Sequence, residues 1–108
     1  MKSFIVFGKV QNVMFRQTFI RGLQSRNLHG GATNNRDKEK TVSITIDASD
    51  EDIVKVTKKL LELGVINSWN ASVEKIEDLS DAIPVLSHQV TTENVDEIKW
   101  CEGVDFYF

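Results

Sequence analysis

Hydrophobic residues in the first part of the chain follow two different periods. Residues 2–10 alternate loosely and are rich in Phe, Ile and Val, which predicts a strand. Residues 15–28 carry apolar side chains at helical spacing with polar ones between them, which predicts an amphipathic helix. The apolar positions of that helix are Phe15, Phe19, Ile20 and Leu23. The glycine pair Gly30-Gly31 is expected just beyond the helix end, where glycine commonly follows.

The next stretch predicts a hairpin. Residues 32–35 are expected to form a short strand, and the polar residues 34–40 suit a turn. Residues 41–47 alternate cleanly and predict a strand with one apolar and one hydroxyl-bearing face. The apolar face consists of Val42, Ile44 and Ile46, and the other face of Thr41, Ser43 and Thr45.

A second helix and two further strands are predicted in the remainder. Ser49 suits a helix N-cap because acidic residues follow it, and an apolar stripe continues to Gly64. Residues 69–76 and 104–108 alternate again, so each is expected to form a strand. Residues 77–96 show no legible period.

This order of elements predicts the fold class. The elements follow the order strand, helix, strand, strand, helix, strand, which corresponds to two interleaved crossover units. This order predicts an α+β ferredoxin-like split βαβ sandwich (βαββαβ). Its antiparallel sheet would carry two helices on one face and turn the other face to water or a partner. We expect a single domain over residues 1–108. The fold alone names no activity, because many unrelated functions share it.

Composition narrows the function classes. The chain has 108 residues, 41% hydrophobic and 27% charged, with a formal net charge of −3, so we expect a globular domain without a nucleic-acid partner. Cys101 is the only cysteine, and with His29 and His88 it follows no metal-ligand spacing. The longest apolar runs are far short of the roughly 20 residues that cross a bilayer, so we expect a cytoplasmic protein that does not bind membranes.

The segment between the first strand and the first helix carries the chemistry. It reads Gly8-Lys9-Val10-Gln11-Asn12-Val13-Met14-Phe15-Arg16. A loop that enters a helix has unpaired backbone N–H groups at the positive end of the helix dipole, which suits an anion. Arg16 could add a planar fork for phosphate oxygens. On spacing alone, the segment is more often an ordinary strand-to-helix connection with a surface arginine, because a lone glycine and arginine are weak signals.

Two motifs resemble those of the acylphosphatases. The first loop is similar to the signature Gly-x-Val-Gln-Gly-Val-x-Phe-Arg, with Asn12 in place of the second glycine. The run from Gly31 to Asp37 resembles the second motif, Gly-x-Val-x-Asn-x-x-(Asp/Gly), with Thr33 for the valine and Asn35 at the functional asparagine. The resemblance covers about the first 65 residues well, and the family's fold agrees with the fold predicted from periodicity.

The resemblance implies hydrolysis of acyl phosphates to a carboxylate and inorganic phosphate. It implies that Arg16 and the backbone amides of the loop hold the phosphoryl group, and that Asn35 orients the attacking water. The implied loop residues are Gln11, Asn12, Val13, Met14 and Phe15. No metal and no organic cofactor are implied; the expected partners are a small acyl phosphate and inorganic phosphate as product and inhibitor, with the protein a monomer. The carboxylate of Phe108 is expected to help hold Arg16.

Asn12 leaves a second function open. Asparagine tolerates left-handed φ best after glycine, so the loop is expected to keep its shape while the side chain alters its rim. The alternative is therefore a catalytically weak or silent module that binds phosphate or another anion. An RNA-binding domain of the same element order is rejected, because residues 41–47 contain no aromatic side chain to stack a base and the chain is acidic.

Overall fold

The computed structural model describes residues 1–98 and 103–108, and its sheet and helices follow the predicted order. The elements are β1 (Lys2–Lys9), α1 (Phe15–Ser25), β2 (His29–Asn34), β3 (Thr41–Asp47), α2 (Asp50–Leu63), β4 (Ser72–Asp78) and β5 (Val90–Thr91), with single 3₁₀ turns at Val85–Ser87 and Val95–Glu97. The strands form one antiparallel sheet in the order β4-β1-β3-β2-β5. The ferredoxin-like α+β prediction is confirmed.

The core lies between the sheet and the two helices. Phe4 of β1 and Ala32 of β2 both lie opposite Ile44 of β3, so their side chains share the helix-facing surface. All three are buried. The amphipathic patterns of α1 and α2 place their apolar stripes on this surface, because burial of those side chains stabilises the packed layers.

The end of α1 differs from the prediction. The helix ends at Ser25 rather than residue 28, because Asn27 turns left-handed (φ 57°). The N–H groups of Asn27 and Leu28 then donate back to the carbonyls of Gln24 and Leu23, the bond pattern of a Schellman cap.

Gly30 and Gly31 were predicted to follow the end of α1 directly. They lie inside β2 instead. That strand begins at His29, earlier than the predicted residue 32. At Gly31 a Cβ atom would lie 2.6 Å from the Cβ of His88, so the glycine allows a close approach between the sheet and a later segment. A glycine inside a strand commonly marks such an approach.

That later segment corrects the prediction of a sheet face turned to water or a partner. Residues 79–89, which we call the strap, cross the face opposite the helices. The N–H of Ile83 donates to Ser3 Oγ at 2.7 Å, and Thr45 Oγ1 donates to the Ile83 carbonyl at 2.8 Å. Ser3 and Thr45 are buried as a result. Residues 77–96, for which the sequence showed no period, thus comprise the end of β4, the strap, β5 and the start of a 3₁₀ turn.

Two predicted strands are also revised. The fourth strand is Ser72–Asp78 rather than residues 69–76, and Trp69 lies in the turn before it, 40% exposed. Residues 104–108 form no strand; within them Phe106 makes an isolated bridge to Asn67. Trp100 and Cys101 lie outside the described residues.

Candidate active site

The β1–α1 loop (residues 10–14) bends sharply before the helix starts. Asn12 and Met14 have φ values of 63° and 59°, so both are left-handed. Asn12 thus has the left-handed φ for which asparagine was expected to be suited, since asparagine adopts this region more readily than most residues. Met14 is the residue before α1, and its carbonyl accepts from Thr18 N at 3.0 Å and from Thr18 Oγ1 at 2.7 Å.

The bend leaves a run of backbone donors unpaired. Among the described residues, the N–H groups from Gln11 to Arg16 donate no hydrogen bond to a protein acceptor. They belong to the loop and to the first turn of α1, where donors lack intrahelical partners and the helix dipole is positive. Consecutive N–H groups in such a turn form a concave site for an anion.

Arg16 lies beside these donors in a cavity of about 320 Å³. The lining residues are Val10, Asn12, Met14, Phe15, Arg16, Gln17, Trp69, Gln89, Val90 and Ile98. Arg16 is the only ionisable residue among these described lining residues, so the cavity is locally positive although the chain carries −3. Partial burial lowers the pKa of Arg16, because desolvation disfavours the cation, yet a guanidinium stays charged at neutral pH.

A larger cavity, about 520 Å³, lies on the other side of the loop. Its charged lining residues are Lys9, Glu39, Lys40 and Glu74, two of each sign. Arg16 does not line it. The smaller cavity is therefore the better anion site, because its single positive charge is not offset by acids.

Comparisons with known proteins agree with the fold described above. The family model described as acylphosphatase matches residues 2–88. The chain belongs to the acylphosphatase family. The crystal structure of acylphosphatase from Bacillus subtilis is similar in fold, with a TM-score of 0.59 and 23% sequence identity over 76% of this chain and 86% of that one. No curated protein matches the chain significantly.

The structure places the acylphosphatase loop residues in different roles. Asn12, Met14 and Phe15 line the cavity with Arg16. Val13 is buried, and Gln11 ties the loop to the β2–β3 connection by donating Nε2 to the carbonyls of Asn35 (3.1 Å) and Thr41 (2.8 Å). Their side chains therefore hold the loop rather than face the cavity.

Asn35 is attached to the loop but does not line the cavity. Its Nδ2 donates to Thr41 Oγ1 at 3.1 Å, and its Oδ1 accepts from Ser43 Oγ at 2.9 Å. These bonds fix the plane of the amide and use one of the two Nδ2 hydrogens. The other Nδ2 hydrogen has no acceptor among the described residues.

Phe108 does not hold Arg16, contrary to the expectation. Its ring stacks on Phe19 with centroids 6.0 Å apart and lies 4.4 Å from the guanidinium carbon of Arg26. Its carbonyl accepts from Arg26 Nη1 at 3.4 Å. A bulky aromatic residue packs here because Gly22 of α1 leaves room for the ring.

Two residues that contact the loop or Arg16 were missed by the sequence analysis. Gln89 at the end of the strap accepts a hydrogen bond from Arg16, and no motif surrounds it. Asn67 is fully buried; its Nδ2 donates to the Val13 carbonyl at 2.7 Å and to Thr18 Oγ1 at 2.9 Å. The sequence around Asn67, Val65-Ile66-Asn67-Ser68-Trp69-Asn70, carries no motif that marks this residue.

Within residues 1–98 and 103–108, no helix combines the length and the apolar character that a membrane crossing needs. In the same residues, no three His, Cys, Asp or Glu side chains cluster as metal ligands.

Proposed function

We propose that this chain hydrolyses acyl phosphates at the β1–α1 loop, with Arg16 and the N–H groups from Gln11 to Arg16 holding the phosphoryl oxygens. The observation that carries the proposal is the run of N–H groups from Gln11 to Arg16 that have no acceptor among the described residues, in a loop that lines one cavity together with the half-buried Arg16. Family membership supports acyl phosphate hydrolysis in general.

The reaction needs few protein groups. A water oxygen forms a bond to phosphorus while the bond from phosphorus to the acyl oxygen breaks, and the carboxylate leaves with the bonding electron pair. A carboxylate is a good leaving group, so no strong general acid is required. The water proton passes to a phosphate oxygen, and catalysis rests on positioning and on charge stabilisation.

Asn35 would orient the water rather than deprotonate it, because an amide is not a base at neutral pH. Its bonds to Thr41 and Ser43 support this role, since they fix the amide plane and leave one Nδ2 hydrogen available. The carbonyl of Asn35 also accepts from Gln11, so the residue is tied to the loop that would hold the phosphate.

The test is hydrolysis of benzoyl phosphate, with inorganic phosphate as inhibitor. Arg16→Ala should lower kcat/KM about 100- to 1,000-fold, because a donor aimed at developing charge is lost. Asn35→Ala should lower kcat with a smaller change in the affinity for phosphate. Arg36→Ala is the matched control, because Arg36 is exposed in the turn beside Asn35 and should leave hydrolysis unchanged.

A silent anion-binding module is the second candidate, and the Asn12 side chain at the cavity rim is the observation that favours it. In that case the wild-type protein binds phosphate, Arg16→Ala weakens the binding, and no benzoyl phosphate is hydrolysed. Hydrolysis that persists undiminished in both Arg16→Ala and Asn35→Ala would disprove the proposed site.

A further inference from the structure

Arg16 has one protein partner in the described part of the chain. Its Nη1 donates to the side-chain oxygen of Gln89, with a distance of 2.8 Å. The same Oε1 accepts from the backbone N–H of Asn34 at 3.0 Å. Gln89 therefore connects the proposed phosphate-binding arginine to the end of β2, although it is 73 residues away along the chain.

Gln89 is itself held by its backbone. Its N–H donates to Thr33 Oγ1 at 3.0 Å, and its carbonyl accepts from Asn94 Nδ2 at 3.2 Å. The next two residues, Val90–Thr91, are β5 and pair with Ala32 and Gly31 of β2. The side chain therefore extends from a fixed point, which lowers the entropy cost of holding Arg16 in one orientation.

We propose that Gln89 is a positioning residue, whose neutral oxygen orients Arg16 toward the cavity and leaves the full positive charge of the guanidinium for the phosphoryl group. The inference rests on the proposed function. A carboxylate at this point would also accept the bond, but it would compete with the phosphate for the same cation.

The donors of the Arg16 guanidinium can serve two purposes, since some can bond to the protein and others to the ligand. A guanidinium has five N–H donors in one plane. Within the described residues, the Arg16 side chain uses one of them, in its bond to Gln89. Both residues line the 320 Å³ cavity, which has no acidic residue among its described lining residues. One edge of the fork is thus fixed by the strap while the other donors can face the ligand.

The first test replaces the oxygen. Gln89→Leu keeps a similar volume but cannot accept a bond, so we expect kcat for benzoyl phosphate to fall about 10- to 100-fold, the effect of a misplaced catalytic group. Gln24→Leu is the matched control. Gln24 Nε2 donates to the Thr92 carbonyl at 3.1 Å, so that variant loses a bond to the same region without touching Arg16.

We expect Gln24→Leu to lower thermal stability and leave kcat at the wild-type value. If both variants lower kcat equally, the effect comes from weaker attachment of residues 89–92 and the proposal is wrong. Wild-type kcat in Gln89→Leu would also overturn it.

The second test adds a charge. Gln89→Glu keeps the acceptor, so kcat should stay closer to wild type than in Gln89→Leu. The inhibition constant of inorganic phosphate should rise about tenfold, because the carboxylate offsets part of the Arg16 charge. An unchanged inhibition constant would show that the neutrality of Gln89 does not matter.

A ligand-independent measurement separates this inference from the proposed function. In ¹⁵N NMR spectra, the Arg16 guanidinium should show slow rotation in wild type and in Gln24→Leu, and fast rotation in Gln89→Leu. If wild type hydrolyses no acyl phosphate but this difference is present, the proposed function fails and the positioning contact stands. If hydrolysis is present and the rotation is equally fast in wild type and in Gln89→Leu, the positioning role fails alone.

Discussion

The β1–α1 loop and the strap use their polar groups in opposite ways. The loop directs the N–H groups from Gln11 to Arg16 away from any described protein acceptor. In the strap, both ring nitrogens of His88 are bonded, Nδ1 to Thr33 Oγ1 at 2.9 Å and Nε2 to Thr45 Oγ1 at 2.6 Å. The two segments therefore have different tasks. The loop keeps unpaired N–H donors for a ligand, and the strap, whose polar groups are paired, holds the loop in place.

The largest effect is expected at Asn67, which bonds to the Val13 carbonyl of the β1–α1 loop. Asn67→Ala should lower the free energy of unfolding by about 3 kcal/mol, because it leaves the buried Val13 carbonyl, the buried N–H of Ala71 and the partly buried N–H of Trp69 without a partner. Chemical denaturation measures this. Asn67→Asp keeps the acceptor for the two N–H groups and should still destabilise, because it loses the donor to Val13; a neutral effect would contradict this explanation.

The next effect tests how closely the strap approaches the sheet. Gly31→Ala should cost about 2 kcal/mol, since the added Cβ would overlap with His88 and overpacked sites typically lose 1–3 kcal/mol. Most of this cost should disappear when the same change is made in a His88→Gly background, as the unfolding free energies of a double-mutant cycle would show. An additive cycle would mean that the strain lies elsewhere.

A smaller effect is expected from pH. Burial lowers the pKa of His88, because desolvation disfavours the charged ring. Below pH 6.5 the unfolded chain takes up a proton that the folded chain does not, so stability should decrease as pH falls from 6.5 to the lowered folded pKa, by at most about 1.4 kcal/mol per pH unit. His88→Gln should remove this slope in denaturation at several pH values. His29→Gln, at an exposed site, should retain it.

The smallest effect is expected at the tip of the loop. Asn12→Ala should cost about 1 kcal/mol, because alanine is disfavoured at a φ of 63°. Asn12→Gly should leave stability nearly unchanged and alter phosphate affinity measurably, since only the rim side chain is removed. Thermal unfolding and phosphate titration of both variants test this. Equal losses of stability would show that the left-handed backbone is not the reason for asparagine.

The elements around the loop could be predicted because their signals are local. The alternation of residues 41–47 and the helical spacing of Phe15, Phe19 and Leu23 each arise from burial on one side of a regular element. Boundaries were less accurate where a single residue decided them, as Asn27 does by turning left-handed after α1.

The strap could not be predicted because its contacts are polar and distant in sequence. The bond from Arg16 to Gln89 and the bonds of His88 to β2 and β3 leave no periodic pattern. One signal was present but was misinterpreted: Thr41, Ser43 and Thr45 form a face of small hydroxyl residues without a charge. Such a face suits burial under a chain segment at least as well as exposure to water.

The distance of Gln89 from Arg16 along the chain has a consequence for folding. Bringing residues 73 apart together requires closure of a long loop, which is entropically costly and favours late formation of the contact. A chain in which β1 has paired with β3 and α1 has packed on the sheet can therefore still lack the bond between Arg16 and Gln89. During refolding, the recovery of enzymatic activity should lag behind the recovery of helix, because helices form from local contacts whereas the Arg16–Gln89 contact joins residues 73 apart.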